Sequence, residues 1–183
     1  MTAKDVIMRK TSLNLIRVRQ RPGTRARGWL LAGPLAIPVA IGRAGIKANK
    51  REGDGGSPRG IFRLVQLWWR ADRWPRPRTM LPVRPIQQND GWCEDPTDRH
   101  YNQPIKVPEG SNADRLARTD RLYDFIIELD HNTRPRVAGR GSAVFVHLAR
   151  ENFGPTAGCV ALEPGKLRGL LSRLGPHTRI AIG

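Results

Sequence analysis

GSAVFVHLARENFGPTAGCVAL, residues 141–162, is the stretch from which the rest of the chain is read. Gly141 to Val146 is a run of small, β-branched and aromatic residues behind a glycine, the composition of a buried strand, and His147 is expected at its exit. Asn152, Gly154, Pro155 and Gly158 are turn formers, so the chain is expected to bend before it reaches Cys159. A strand end facing such a bend brings an imidazole towards a sulfur.

That pair has a definite chemistry. A free thiol with a pKa of ~8.5 is only a few per cent thiolate at neutral pH, and the thiolate is the nucleophile. His147 beside it would take the proton, form an ion pair with the sulfur, and later return the proton to a leaving amine. Gly158, without a Cβ, would let a substrate carbonyl approach backbone N–H groups that hold an oxyanion. The competing reading is a core histidine and a buried structural cysteine, both common in globular proteins.

His147 followed by Thr156-Ala157-Gly158-Cys159-Val160, with the cysteine twelve positions after the histidine, resembles the signature of the YkuD-type L,D-transpeptidases, a His and then [Ser/Thr]-x-Gly-Cys-[Ile/Val]. Upstream, Ser57-Pro58-Arg59-Gly60-Ile61-Phe62 is similar to that family's [Ser/Thr]-Pro-x-Gly-x-Phe element. The resemblance implies a mostly β fold, a mixed-sheet β-sandwich with one or two short helices. It also implies a cysteine acyltransferase in which Cys159 is the nucleophile, His147 the general base and acid, and Gly158 the oxyanion backbone. The implied partner is the peptidoglycan stem peptide, and the implied location is the cell envelope or periplasm. Neither a cofactor nor a metal is called for. Many members carry a His just before the Gly-Cys and an Arg two residues after the Cys, whereas here those positions are Ala157 and Ala161. Arg150 or Arg51 is the expected substitute for the missing arginine, with Thr156 of the signature a further substrate contact. A third group that orients His147 would be a backbone carbonyl or an acid, with Glu151 and Glu163 as candidates.

Composition supports an acidic partner. Lys and Arg number 32 against 16 Asp and Glu, a formal charge of +16, so the surface carries a strong positive field. Nucleic acid is the usual partner of such a surface, but the basic residues are scattered, and no helix–turn–helix, RNP or zinc-finger pattern accompanies them. Stem peptides bear several carboxylates and account for the sign equally well. A cysteine peptidase or L,D-carboxypeptidase using the same two residues, and a basic nucleic-acid-binding protein in which they are structural, are the alternatives. Cys93 reads as a small buried residue. A zinc site from Cys93, His100, His147 and Cys159 has spacings that fit no compact finger.

The 183 residues suffice for one domain, 1–183, with its own core. Leu13 to Val18, Trp29 to Ala32 and Leu35 to Ile41 read as strands. Arg17 to Arg27 ahead of an apolar run imitates a secretion leader, but Pro34 and Pro38 break any helix there. No apolar span approaches the ~20 residues of a transmembrane helix. Gly42 to Arg59 is a Gly-rich basic loop that would line the cleft, and Ile61 to Trp69 continues the sheet. Residues 70–110 hold seven of the fifteen prolines and read as a long irregular loop. Within it, Trp92, Tyr101 and Asn102 are candidates to contact substrate or to buttress the site. Ser111 to Thr119 begins like a capping box and predicts a short helix. Tyr123 to Leu129 predicts a strand, Leu167, Leu170, Leu171 and Leu174 the face of a helix opened by Glu163-Pro164, and Thr178 to Ile182 a closing strand.

Overall fold

The structure is a computed structural model and describes residues 12–108 and 115–183. Three strands open it: β1 (Leu15–Gln20), β2 (Arg27–Ala32) and β3 (Leu35–Ala40), a meander in which β2 alternates exposed and buried residues as a strand with one wet face must. The apolar run that imitates a leader is therefore sheet. Two short strands, β4 (Ile46–Lys47) and β5 (Ser57–Pro58), pair in parallel and tie the Gly-rich loop together. β6 (Gly60–Trp69) is the longest strand, followed by β7 (Val83–Pro85), β8 (Asp90–Trp92) and β9 (Pro104–Lys106) within the proline-rich stretch.

Then come β10 (Phe125–Leu129), β11 (Phe145–Leu148) and β12 (Val160–Leu162), the helix α1 (Pro164–Leu171) and β13 (Arg179–Ile182). The main sheet is mixed and runs β10-β11-β12-β3-β2-β1-β13-β6-β7. A further pairing of β10 with β6 joins its two halves into a circuit of hydrogen-bonded strands, with only β7 outside. Parallel pairs are β1 with β13, β11 with β12 and β6 with β7. Among the described residues no helix is long and apolar enough to cross a membrane.

Strand alternation sorts the side chains into two apolar clusters. Val146, Leu148, Val160 and Leu162 join Ile16, Leu30, Val39 and Leu67 in the main core, which α1 caps with Leu167, Leu170 and Leu171. Each such leucine contributes about 1.5–3 kcal/mol by leaving water. The helix starts as its sequence requires: Glu163 at the N-cap accepts the Gly165 N–H at 3.1 Å, and Pro164 occupies the first turn, where it gives up no hydrogen bond. On the opposite face, Phe145 packs with Trp68, Trp92, Ile126, Ala143 and Cys159 in a smaller cluster.

Two expectations are corrected. The strand read over 141–146 begins only at Phe145, so His147 lies inside β11 rather than at its exit. Gly141 (φ 97°) and Ala143 (φ 50°) ahead of it have left-handed backbone that no strand contains. The helix read over 111–119 is absent from its described part. Residues 115–119 are irregular there, with Leu116 N–H bonded to the Asp90 carbonyl, while residues 111–114 lie outside the described residues.

Candidate active site

His147 and Cys159 reach one face of the sheet by register. β11 and β12 pair in parallel with His147 opposite Ala161, and Cys159 precedes Ala161 by two residues, so all three point away from the main core. A cavity of about 270 Å³ opens on that face, lined by both residues together with Ala157, Ala161, Tyr123 and the arginines 43, 118 and 150. Tyr123 sets its ring edge-on to the imidazole, 5.3 Å between centroids.

Local sequence explains the loop that carries the sulfur. Thr156 turns its hydroxyl back into the bend, donating to the Cys159 carbonyl at 2.6 Å and accepting the Gly158 N–H at 3.2 Å. Its backbone N–H donates to the Ile41 carbonyl and its carbonyl accepts from Arg43 N–H, which stitches the loop to the end of β3. Gly158 has φ 153°, and a Cβ there would stand 2.8 Å from the Gly56 carbonyl oxygen, so only glycine fits. The neighbouring loop is rigid in turn. Asp54 accepts from Lys50 Nζ at 2.8 Å and from the backbone N–H groups of Arg51 and Gly56. Its burial opposes charge, but those hydrogen bonds prevail and hold the carboxyl at a pKa of about 2.

At rest both members of the pair are neutral. Burial drives the His147 pKa down to about 4, with the charges of Arg118 and Arg150 acting in the same sense, and burial drives the Cys159 thiol up to about 12. Both shifts disfavour the resting ion pair expected of the two. The thiol donates to the Ala143 carbonyl at 3.2 Å and accepts from Phe145 N–H at 3.4 Å. His147 Nδ1 lies 2.8 Å from the Leu148 carbonyl, which makes Nδ1 the protonated nitrogen and leaves Nε2 with its lone pair, the state a general base needs. The orienting group is thus a backbone carbonyl; Glu163 caps α1, and Glu151 is an exposed turn residue.

The other sequence candidates divide. Arg150 and Thr156 line the cavity and Arg51 does not; the hydrogen bonds of Arg51 are made by its backbone, to Lys50 and Asp54. Trp92, Tyr101 and Asn102 stand behind the sulfur, outside the cavity lining. The Tyr101 hydroxyl donates to Glu52 and accepts from Gly141 N–H at 3.0 Å, while the Trp92 indole donates to Asn102 Oδ1 at 3.1 Å. They buttress the segment 141–143. No local pattern points to Ala143, nor to Arg118 and Tyr123 as cavity residues. Arg43 was visible only as part of a basic loop.

Compared with known sequence families, residues 10–182 match the YkuD family, the L,D-transpeptidase catalytic domain. No curated protein and no solved structure matches the chain.

Proposed function

We propose, on the premise that this chain belongs to the YkuD family of L,D-transpeptidase catalytic domains, that it is a peptidoglycan L,D-transpeptidase working through a thioester on Cys159. The observation that carries this reading is the shared cavity, which receives an imidazole with a free Nε2 from β11 and a thiol from the residue just before the parallel strand β12. In the proposed reaction His147 Nε2 takes the thiol proton as sulfur attacks a peptide carbonyl of the donor stem. The backbone N–H groups of the Gly158–Cys159 turn receive the oxyanion, with Thr156 releasing the Gly158 N–H it holds at rest. Collapse of the tetrahedral intermediate breaks the C–N bond, and the imidazolium protonates the departing amine. An acceptor amine, deprotonated by the same Nε2, then attacks the thioester, forms the cross-link and frees the thiol.

Both neutral resting pKa values suit that order, because the base is unprotonated when substrate arrives and proton transfer is coupled to attack. Arg43, Arg118 and Arg150 supply the positive charge that Ala161 does not, and they favour an acidic donor. Such a substrate would place the protein at the cell envelope. The test is the intact mass of the protein after exposure to a carbapenem or to purified muropeptides. An adduct on the wild type that is lost in Cys159→Ala is expected. Muropeptide products then separate cross-linking from hydrolysis, in which water replaces the acceptor amine, and the absence of any adduct would remove the reading.

A further inference from the structure

Among the described residues, left-handed backbone outside glycine occurs at Asn102 (φ 55°), Asn132 (φ 51°), Ala143 (φ 50°) and Phe153 (φ 49°). The first three meet at one side chain. Asn102 Oδ1 accepts the Ala143 N–H at 3.1 Å and the Trp92 indole N–H at 3.1 Å, and its Nδ2 donates to the carbonyls of His131 at 3.0 Å and Asn132 at 2.9 Å. An amide has two donors and two principal acceptor positions, and here every one is used, in a side chain whose residue is 4% exposed. Unfavoured backbone persists only where its surroundings over-determine it, and it concentrates at functional sites. At Ala143 the surroundings are Asn102 on the N–H side and the Cys159 thiol on the carbonyl side.

We infer that Asn102 is a positioning residue for Cys159. By gripping the Ala143 N–H it fixes that residue's strained backbone, and so aims the Ala143 carbonyl at the sulfur, where it accepts the thiol proton. The resting thiol is thereby kept protonated and in one orientation until substrate displaces it. Asn102 touches neither substrate nor sulfur and acts only through Ala143. This inference rests on Cys159 as the reactive thiol, but its test reads that thiol directly and needs no turnover.

A hydrogen bond donated by a thiol stabilises the neutral form, so losing its acceptor lowers the pH at which the thiol ionises. The charged and titratable groups bearing on the sulfur are Lys50 in the loop between β4 and β5 and Glu94 in the loop after β8, with His147 on β11, Tyr123 and the arginines 43, 118 and 150 sharing its cavity, and none of them changes in the variants. The experiment is alkylation of the full chain by iodoacetamide across pH, read by mass spectrometry on the peptide that contains Cys159. Asn102→Ala is expected to shift the rate profile down by about one pH unit, roughly a tenfold faster reaction at a fixed pH below the midpoint. Trp92→Phe, which removes the other donor to the same oxygen and leaves the Ala143 bond, is expected to keep the wild-type midpoint. A merely loosened loop would raise the rate above the midpoint as much as below it and leave the midpoint unmoved. That result, or an unchanged or raised midpoint, overturns the inference. If Asn102→Ala does not fold, as judged by near-UV circular dichroism, Asn102→Gly decides. Glycine accepts the φ of 55° at that position without strain while the amide that grips Ala143 is gone, and a midpoint equal to wild type there overturns the inference too.

Discussion

His147 faces Ala161 across the parallel pairing of β11 with β12, and Ala161 is 1% exposed although it forms part of the cavity wall. The smallest chiral side chain thus occupies the position beside the imidazole. Ala161→Leu would crowd the ground between ring and sulfur. It is expected to slow formation of a covalent adduct at Cys159 at least tenfold and to cost about 1–3 kcal/mol of stability through overpacking. Adduct kinetics and urea unfolding check the two effects separately.

His147 is also expected to set the rate of acyl transfer. Without a positioned base the thiol must ionise against its own burial, so His147→Asn should slow single-turnover acylation by about 10²–10⁴-fold while Cys159 remains in place. A rate within a factor of a few of the wild type would show that the imidazole handles no proton.

The same imidazole gives stability a defined pH window. Its pKa is 6.5 when exposed and about 4 when folded, so between those values the unfolded chain holds a proton that the folded chain does not. Stability is therefore full above pH 6.5 and falls as pH drops towards 4, by on the order of 3 kcal/mol from this group alone. Urea unfolding at pH 7 and pH 4.5 should show a larger loss for the wild type than for His147→Gln, and equal losses would count against a buried neutral ring.

Arg118 and Arg150 reach the cavity from different segments, and Arg118 is already paired with Asp120 at 2.7 Å and placed over the Tyr123 ring. Arg150→Gln is expected to raise KM for a carboxylate-bearing donor about two- to fivefold at unchanged kcat, with the difference shrinking in high salt. A neutral thiol reagent should not distinguish the variant from the wild type.

Asp54 is the anchor of the loop behind the sulfur, since Lys50, only 7% exposed, depends on it for its counter-charge. Asp54→Ala leaves a buried ammonium unpaired and is expected to cost about 3–5 kcal/mol. The double variant Lys50→Met/Asp54→Ala should recover part of that loss in thermal unfolding.

Much of this was legible in the chain because it is written in local patterns. The strands β1, β2, β3, β6 and β10 follow runs of β-formers, α1 follows leucines at helical spacing behind Glu163-Pro164, and the Cys159 loop follows its glycines and proline. What escaped is set by distant contacts. Ala143 belongs to a run that reads as strand, and it takes left-handed backbone because Asn102, 41 positions away, claims its N–H. Residues 115–119 follow a capping-box sequence but are drawn off by tertiary bonds: Leu116 to Asp90, and the Arg118 carbonyl to Arg70 and Arg73. The neutral resting pair was invisible for the same reason, since spacing brings His147 and Cys159 together without revealing how deeply each is buried.

The chain between β11 and β12 is both the link that brings base and thiol side by side and much of the wall around them, contributing Arg150, Gly154, Pro155, Thr156 and Ala157. The two strands are locked into the sheet independently of that link. Substitution or lengthening at its outer residues can therefore redraw what the cavity admits while the imidazole and thiol at its floor stay in register, which gives the scaffold a way to acquire new guests without rebuilding the proposed reaction centre.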